Sequence, residues 1–158
     1  MPNVFNAAEI VDMGIEKEKK RRDFYALVAE KFKEKDLKDL FLKLRNWEDD
    51  HIKKFTAIRN SVKGEEIAES YQGEFGAYIK ALVDDKLYSQ VSAKEFEANV
   101  KTARSAIQYS LGFEKDAILL FNELLRYMET PGADKVRELI EEEKKHIIYL
   151  AELKRKYE

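Results

Sequence analysis

The sequence predicts an all-α fold, a four-helix bundle of two antiparallel helical hairpins joined by a long crossover. Four stretches carry apolar residues at the spacing of one helix face, and the 158 residues contain only two prolines and six glycines, which favours long uninterrupted helices. Few residues separate the first stretch from the second or the third from the fourth, so each pair should lie antiparallel. The length suits a single domain, which we expect to span residues 1–158.

The first hairpin is predicted near the N-terminus. Asn6 and Glu9 have the spacing of a capping box at the start of the first helix, which should end near residues 33–35. Asp36 is the predicted cap of the second helix, which should end near residues 62–64. The two apolar faces are Val11, Ile15, Tyr25, Ala29 and Phe32, and Leu37, Phe41, Leu44, Ile52, Phe55 and Ile58.

The crossover is predicted over roughly residues 64–99, where the helical pattern is weaker. Ala77 to Leu87 is a candidate short helix, and Ser92 with Glu95 forms a second capping-box pattern. We therefore expect one or two short helices in this connection.

The second hairpin should begin near Asn99, where the third helix is expected to start. Thr130-Pro131-Gly132 ends that helix, and the fourth should begin at Ala133 or Asp134. The two apolar faces are Ala103, Ile107, Leu111, Ile118, Phe121, Leu125 and Met128, and Val136, Leu139, Ile140, Ile147 and Leu150.

Composition excludes several classes of function. The 29 basic and 31 acidic residues nearly cancel, so no sequence-independent binding of nucleic acid is indicated. The absence of cysteine removes disulfides, thiol catalysis and cysteine-held iron–sulfur centres. No apolar run approaches the length of a membrane span and no signal-peptide core is visible, so we expect a cytoplasmic protein without membrane attachment.

Each of the four apolar faces has one gap, and a glutamate fills it. Each of these glutamates lies three or four residues after an apolar member of its face, and residues at that spacing share one side of a helix. The side chains expected to point into the bundle are Glu18, Glu48, Glu114 and Glu143.

The only two histidines each follow one of these glutamates by three residues. His51 follows Glu48, and His146 follows Glu143. The Glu-x-x-His spacing places a carboxylate and an imidazole one turn apart on the same helix face. Counted from the turn of each hairpin, the Glu and the Glu-x-x-His come to nearly the same level.

Four ionised carboxylates inside a bundle need compensating positive charge, because burying an unpaired charge is strongly unfavourable. Two divalent cations would neutralise them, and carboxylate oxygen with imidazole nitrogen suits iron or manganese, and zinc less selectively. Di-iron and di-manganese carboxylate proteins use this set, one Glu from each of two helices and Glu-x-x-His from the other two. The pattern therefore predicts a dinuclear metal site.

At these residues the sequence resembles the rubrerythrin-like branch of the ferritin-like family. The resemblance implies a ferritin-like bundle with a di-iron site that reacts with hydrogen peroxide or dioxygen, often reducing peroxide to water. It covers roughly residues 7–62 and 99–155, and the matching segments are EKKRRDFY from Glu18, WEDDH from Trp47, FEKDAILLF from Phe113 and EEEKKHIIYL from Glu141.

The resemblance also implies a role for each metal ligand. Two iron ions would be held in one site, with manganese or zinc as alternatives. The implied bridging ligands are Glu48 and Glu143, the implied terminal ligands are Glu18 and Glu114, and His51 and His146 would each bind one ion.

Three features depart from the family pattern. Without cysteine the chain cannot hold rubredoxin-type iron, so we expect either a separate electron donor, such as a rubredoxin-type protein, or only slow turnover. Leu111 stands where rubrerythrins proper carry an additional glutamate, so the iron movement associated with that ligand is not implied. The aromatic residue seven positions after the helix ligand is Tyr25 in the first half and Phe121 in the second, and only Tyr25 can donate a hydrogen bond near the site.

Neighbouring acidic residues have plainer interpretations. Glu16 is an alternative to Glu18 as the ligand, but its helix face is less apolar. Glu141 and Glu142 lack the three-residue spacing to His146, and we expect them at the surface.

The basic run from Lys17 to Arg22 is expected to be solvated helix surface apart from Glu18. Arg22 lies one turn after Glu18, where it would either contact the site or extend outward to solvent. Trp47 is expected to be a packing residue and Tyr25 either a packing residue or a hydrogen-bond donor beside the site.

Two other functions fit the same sequence. A ferroxidase or iron-handling protein without peroxide turnover would use the same ligands, and repeated turnover with a reduced donor would distinguish it from a peroxidase. A purely structural bundle would pair its inward carboxylates with Lys or Arg, and its stability would not depend on metal. The resemblance implies a homodimer, and the long crossover would allow the hairpins to exchange between chains.

Overall fold

In the computed structural model, residues 7–61, 77–78, 81, 93–126, 128 and 132–158 are described. The main elements are five helices: α1 (Ala7–Lys31), α2 (Lys35–Ser61), α3 (Ala93–Asn99), α4 (Ala103–Leu125) and α5 (Gly132–Lys156). Helices α1 and α2 form one hairpin and α4 and α5 the other, while α1 packs on α4 and α2 on α5. The predicted four-helix bundle is confirmed. None of the described helices is long and apolar enough to cross a membrane.

The turn of the first hairpin differs in detail from the prediction. The backbone N–H of Lys38 donates to the carbonyl of Glu34 at 2.9 Å, so the helix starts before Asp36 and the prediction that Asp36 caps it was wrong. The Asp36 carboxylate instead accepts the N–H of Leu37 and the hydroxyl of Tyr157, each at 2.8 Å. Asp36 therefore links the start of α2 to the end of α5. The predicted Asn6 cap lies outside the described residues.

The start of the second hairpin lies four residues after the predicted position. Asn99 ends the short helix α3 and donates from its amide to the carbonyl of Glu95 at 3.0 Å. The cap of α4 is Thr102, whose hydroxyl accepts the N–H of Ser105 at 3.1 Å, while the Ser105 hydroxyl oxygen accepts the N–H of Thr102 at 3.1 Å. This reciprocal pair satisfies two backbone donors, so α4 begins at Ala103 and not near Asn99.

The crossover is described only in part. A short helix near residue 93 was predicted and is present as α3, but its predicted cap Ser92 lies outside the described residues. Of the second candidate, Ala77 to Leu87, residues 77, 78 and 81 are described, and they are helical. After the connection from α4, α5 begins at Gly132, and Thr130 and Pro131 lie outside the described residues.

The apolar core consists of two clusters with a polar layer between them. One cluster joins the start of α1 and α5 with the ends of α2 and α4, and includes Val11, Phe55, Phe121 and Leu139. The other joins the end of α1 and α5 with the start of α2 and α4, and includes Tyr25, Phe41, Phe113 and Leu150. Side chains in the polar layer are therefore flanked by apolar packing both above and below.

Candidate metal centre

The polar layer contains all six residues that the sequence predicted as metal ligands. Each long helix contributes at mid-height, because the gap in its apolar face falls there. The side chains are buried, with at most 4% of the residue surface exposed, and they are Glu18, Glu48, His51, Glu114, Glu143 and His146. The structure thus brings together residues that are up to 128 positions apart in the sequence (146 − 18).

These residues form two overlapping groups, and within each group the candidate ligand atoms lie within 4.8 Å of one another. We call them the His51 position and the His146 position. The His51 position consists of Glu18, Glu48, His51 and Glu143, and the His146 position consists of Glu48, Glu114, Glu143 and His146. Each position has one histidine, one glutamate of its own and two glutamates in common.

The two shared glutamates divide their oxygen atoms between the two positions. In Glu143, Oε1 lies 2.7 Å from Nδ1 of His51, while Oε2 lies 3.3 Å from Nδ1 of His146. In Glu48, Oε2 lies 3.7 Å from Nδ1 of His51, and Oε1 lies 3.9 Å from Nδ1 of His146. A carboxylate oriented in this way can offer one oxygen to each of two adjacent cations.

Many polar atoms of this layer make no hydrogen bond of good geometry among the described residues, although Oε1 of Glu18 contacts Arg21 and Oε1 of Glu143 lies close to His51. They are both carboxylate oxygens of Glu18, Glu48 and Glu143, Oε2 of Glu114, and Nδ1 of His51 and His146. Buried polar atoms without partners are costly and uncommon in folded proteins. Cations placed among these oxygen and nitrogen atoms would satisfy them, so the donor set fits two divalent metal ions.

The ionisation of the layer reflects its burial. Burial raises the pKa of Glu48 well above its usual range, and the charges of Glu143 and Glu18 act in the same direction. Burial and the charge of Glu143 raise the pKa of Glu114 to about 8. Burial opposes protonation of His146, but its contacts with Glu114 and Glu143 outweigh that effect and raise its pKa to about 9. Without metal, protons therefore remain in the layer at neutral pH.

Tyr25 lies beside the site, at the edge of the apolar cluster near Phe41. Its hydroxyl donates a hydrogen bond to Oε1 of Glu114 at 2.5 Å, and the residue is fully buried. Burial and the charge of Glu114 raise the pKa of the phenol well above its usual range, so it remains a donor. Leu111, one turn before Glu114, is buried in the same apolar cluster and brings no carboxylate to the site.

Glu142 was expected at the surface, and the structure corrects this prediction. It is one-third exposed, but its Oε2 lies 2.6 Å from Nε2 of His51, and its Oε1 accepts a hydrogen bond from Lys54 at 2.9 Å. A carboxylate at Nε2 keeps the proton there and leaves Nδ1 available toward the carboxylates. The spacing of Glu142 could not reveal this role, because the contact joins α5 to α2.

Trp47 packs on the other histidine. Its ring stacks on His146 with the centroids 4.9 Å apart and on Tyr149 at 5.7 Å. Trp47 is therefore a packing residue, as expected, and it packs on the outer side of His146. The rings of His51 and His146 are also nearly parallel, with centroids 5.5 Å apart.

The basic run of α1 was predicted as solvated surface, and this was wrong for two of its members. Lys17 is buried and pairs with Asp116 on α4 at 2.7 Å. Arg21 is fully buried and its Nη2 contacts Oε1 of Glu18. Arg22, the residue singled out from the sequence, is partly exposed and pairs with Asp49 at 3.3 Å. One turn of helix places both arginines near Glu18, so only the packing of α2 decides which one turns inward.

The alternative ligand Glu16 is excluded by its position. Its side chain is 65% exposed and pairs with Lys19 on the same helix. Glu141 is likewise exposed and pairs with Lys144 at 2.8 Å. Both carboxylates point away from the polar layer.

The side of the site formed by α2 and α5 lies next to a surface cavity of about 270 Å³. Both histidine rings reach its wall, whereas the contacts on the α1 and α4 side include the buried Lys17–Asp116 pair and the Tyr25–Glu114 hydrogen bond. The cavity is lined by Trp47, Asp50, His51, Lys54, Glu142, Lys145, His146 and Tyr149.

A four-helix bundle with two overlapping buried groups of Glu and His defines the ferritin-like class of dinuclear metal carboxylate proteins. Within that class, the sequence model of the rubrerythrin family matches residues 9–154. The chain therefore belongs to the rubrerythrin family. No significant match was found among curated proteins or among solved structures.

Proposed function

We propose that this chain is a di-iron carboxylate oxidoreductase that reduces hydrogen peroxide to water with electrons from a separate donor protein. In this proposal Glu48 and Glu143 would be shared by the two ions, and Glu18 and Glu114 would each hold one of them. Nδ1 of His51 and Nδ1 of His146 would complete the two positions. The alternative function is that of a ferroxidase or iron-handling protein, which would use the same ligands with dioxygen.

The observation that carries the proposal is the orientation of the two shared glutamates, each of which turns one carboxylate oxygen toward each histidine. One oxygen of Glu143 faces His51 and the other faces His146, and Glu48 is oriented in the same way. A purely structural bundle has no need of such an arrangement. Arg21 supplies one positive charge against four glutamates, so it does not neutralise the layer by itself.

Iron suits this site because carboxylate oxygen and imidazole nitrogen are ligands that it binds well in either oxidation state. Two ferrous ions held here would together supply the two electrons that peroxide needs to become water. The chain contributes fixed ligand positions, apolar packing on both sides of the layer, and the hydroxyl of Tyr25 at Glu114. That hydroxyl can hold Glu114 in one orientation while the charge of the site changes.

The cavity between α2 and α5 is the proposed approach for a small oxidant and for the donor. It reaches both histidines, and its aromatic wall connects His146 through Trp47 to the partly exposed Tyr149. The 158 residues contain no cysteine that could hold rubredoxin-type iron. We therefore propose a separate reductant, and we keep the homodimer as a prediction for size-exclusion chromatography.

The test compares two oxidants on protein loaded anaerobically with ferrous iron. The protein is mixed separately with hydrogen peroxide and with dioxygen, and the near-ultraviolet absorbance of an oxo-bridged diferric centre is followed. Much faster oxidation by peroxide supports the peroxidase, and faster oxidation by dioxygen supports the ferroxidase. No bound iron and no absorbance change would contradict both.

Variants test the ligand assignment in the same experiment. Glu114→Ala and His146→Ala should each lower the iron content, because each removes a ligand of the His146 position. Glu141→Ala is the matched control, since Glu141 lies on α5 beside Glu143 but pairs only with Lys144 among the described contacts. Unchanged metal content in Glu114→Ala or His146→Ala would refute the assignment.

A further inference from the structure

Arg21 is a fully buried cation inside the polar layer of the proposed metal site. Its Nη2 contacts Oε1 of Glu18 and lies 3.6 Å from Oε2 of Glu48 and 3.9 Å from Oε1 of Glu143. A guanidinium does not lose its proton in proteins, so this positive charge is permanent. It must therefore be counted together with any cation that the glutamates bind.

The charge of Arg21 lies on one side of the site. The oxygen atoms nearest to it on the two shared glutamates, Oε2 of Glu48 and Oε1 of Glu143, are the ones that face His51. Its closest partner, Glu18, belongs to the His51 position and not to the His146 position. A cation at the His51 position would therefore share three carboxylates with Arg21.

Charge counting shows how the second cation differs from the first. Four glutamates and Arg21 sum to −3 when the histidines are neutral, so one divalent cation leaves −1 and two leave +1. Without Arg21, two cations would leave the layer neutral. Buried net charge is unfavourable, and like charges at short distance repel more strongly in a protein interior than in water.

We propose that Arg21 makes the two metal positions unequal, so that the His146 position fills first and the His51 position fills second and more weakly. This inference rests on the proposed dinuclear site and adds an order of loading to it. Arg21 acts on the ions through the glutamates and is a positioning residue.

The test is a titration of the metal-free full chain with Mn²⁺ under anaerobic conditions. Free Mn²⁺ is measured by its paramagnetic resonance signal and binding heat by calorimetry. Two identical independent positions differ fourfold in their stepwise dissociation constants for statistical reasons alone. For the wild type we expect a ratio of tenfold or more.

Arg21→Gln removes the charge and should tighten the second binding step at least tenfold, with the first step changed less than threefold. Arg22→Gln is the matched control, because Arg22 is adjacent, partly exposed and paired with Asp23 and Asp49. A second step in Arg21→Gln that is unchanged or weaker than in Arg22→Gln overturns the inference.

A second pair of variants keeps Arg21 in place, so the test does not depend on the folding of Arg21→Gln. The tight first step should survive in His51→Ala and be lost in His146→Ala. Equal loss in both variants, or the reverse order, overturns the inference. Wild type that binds no Mn²⁺ would overturn the proposed dinuclear site as well, whereas two ions bound without any effect of Arg21 would overturn the order of loading alone.

Discussion

Glu142→Gln tests whether Glu142 orients His51, one of the proposed metal ligands. Oε2 of Glu142 lies 2.6 Å from Nε2 of His51, and its Oε1 accepts a hydrogen bond from Lys54 at 2.9 Å. The substitution keeps the size and one acceptor oxygen, but it removes the negative charge. We expect Nε2 of His51 to hold its proton less firmly and Nδ1 to become a poorer ligand.

The expected magnitude follows from comparable contacts in other metal sites. Removing the hydrogen-bond partner of a ligating histidine typically weakens metal binding about 10- to 100-fold, or about 1.4–2.7 kcal/mol. The Glu142 side chain is about one-third exposed, and the amide still accepts a hydrogen bond, so Glu142→Gln should lie near the lower limit. Glu142→Ala removes both the charge and the acceptor and should lie near the upper limit.

The assay is competition for Mn²⁺ between the protein and a chelator of known affinity. Glu141→Gln is the matched control, because Glu141 is the preceding residue on α5 and its exposed side chain contacts Lys144. We expect the weakening to fall on the binding step assigned to the His51 position. If Glu142→Gln and Glu141→Gln bind metal with affinities within twofold of each other, the argument that Glu142 orients His51 is wrong.

Three further predictions concern Tyr25, the pH dependence of metal binding and the pH dependence of stability. Tyr25→Phe should lower the free energy of unfolding of the metal-bound protein by about 1–3 kcal/mol, because a buried oxygen of Glu114 loses its hydrogen-bond donor. Urea denaturation measures this free energy, and Tyr109→Phe is the control because Tyr109 is partly exposed. Equal stability of the two variants would contradict the prediction. Metal affinity should rise with pH through about 8 and 9, since Glu114 and His146 must lose protons that their raised pKa values retain. In the unfolded chain Glu114 and His146 have the ordinary pKa values of 4.5 and 6.5. Because folding raises both values, the stabilisation of the metal-free protein is complete at pH values below these and is lost as the pH rises through about 8 and 9. For metal binding, calorimetry in two buffers of different ionisation enthalpy would count the protons that are released, and metal affinity that does not change between pH 6 and 9 would refute the predicted rise.

The fold and the six candidate ligands could be predicted from local spacing. A glutamate in a gap of an apolar face, and a histidine three residues after it, keep their relation whatever the bundle does, because both lie on one helix. The short turns then bring Glu18 to the level of Glu48, and Glu114 to the level of Glu143. Helix ends were less well predicted. Asp36 meets Tyr157 from the far end of the chain, and Asn99 ends the short helix α3, so that Thr102 caps α4.

The tertiary structure alone decided which charged side chains enter the site from outside the apolar pattern. Arg21 and Arg22 lie about equally far from the direction of Glu18, and only the packing against α2 places Arg21 among the glutamates and Arg22 beside Asp49. Glu142 meets His51 across the α2–α5 interface. Sequence spacing reports the geometry within one helix, whereas these contacts depend on the rotation of one helix against another, which the whole core determines.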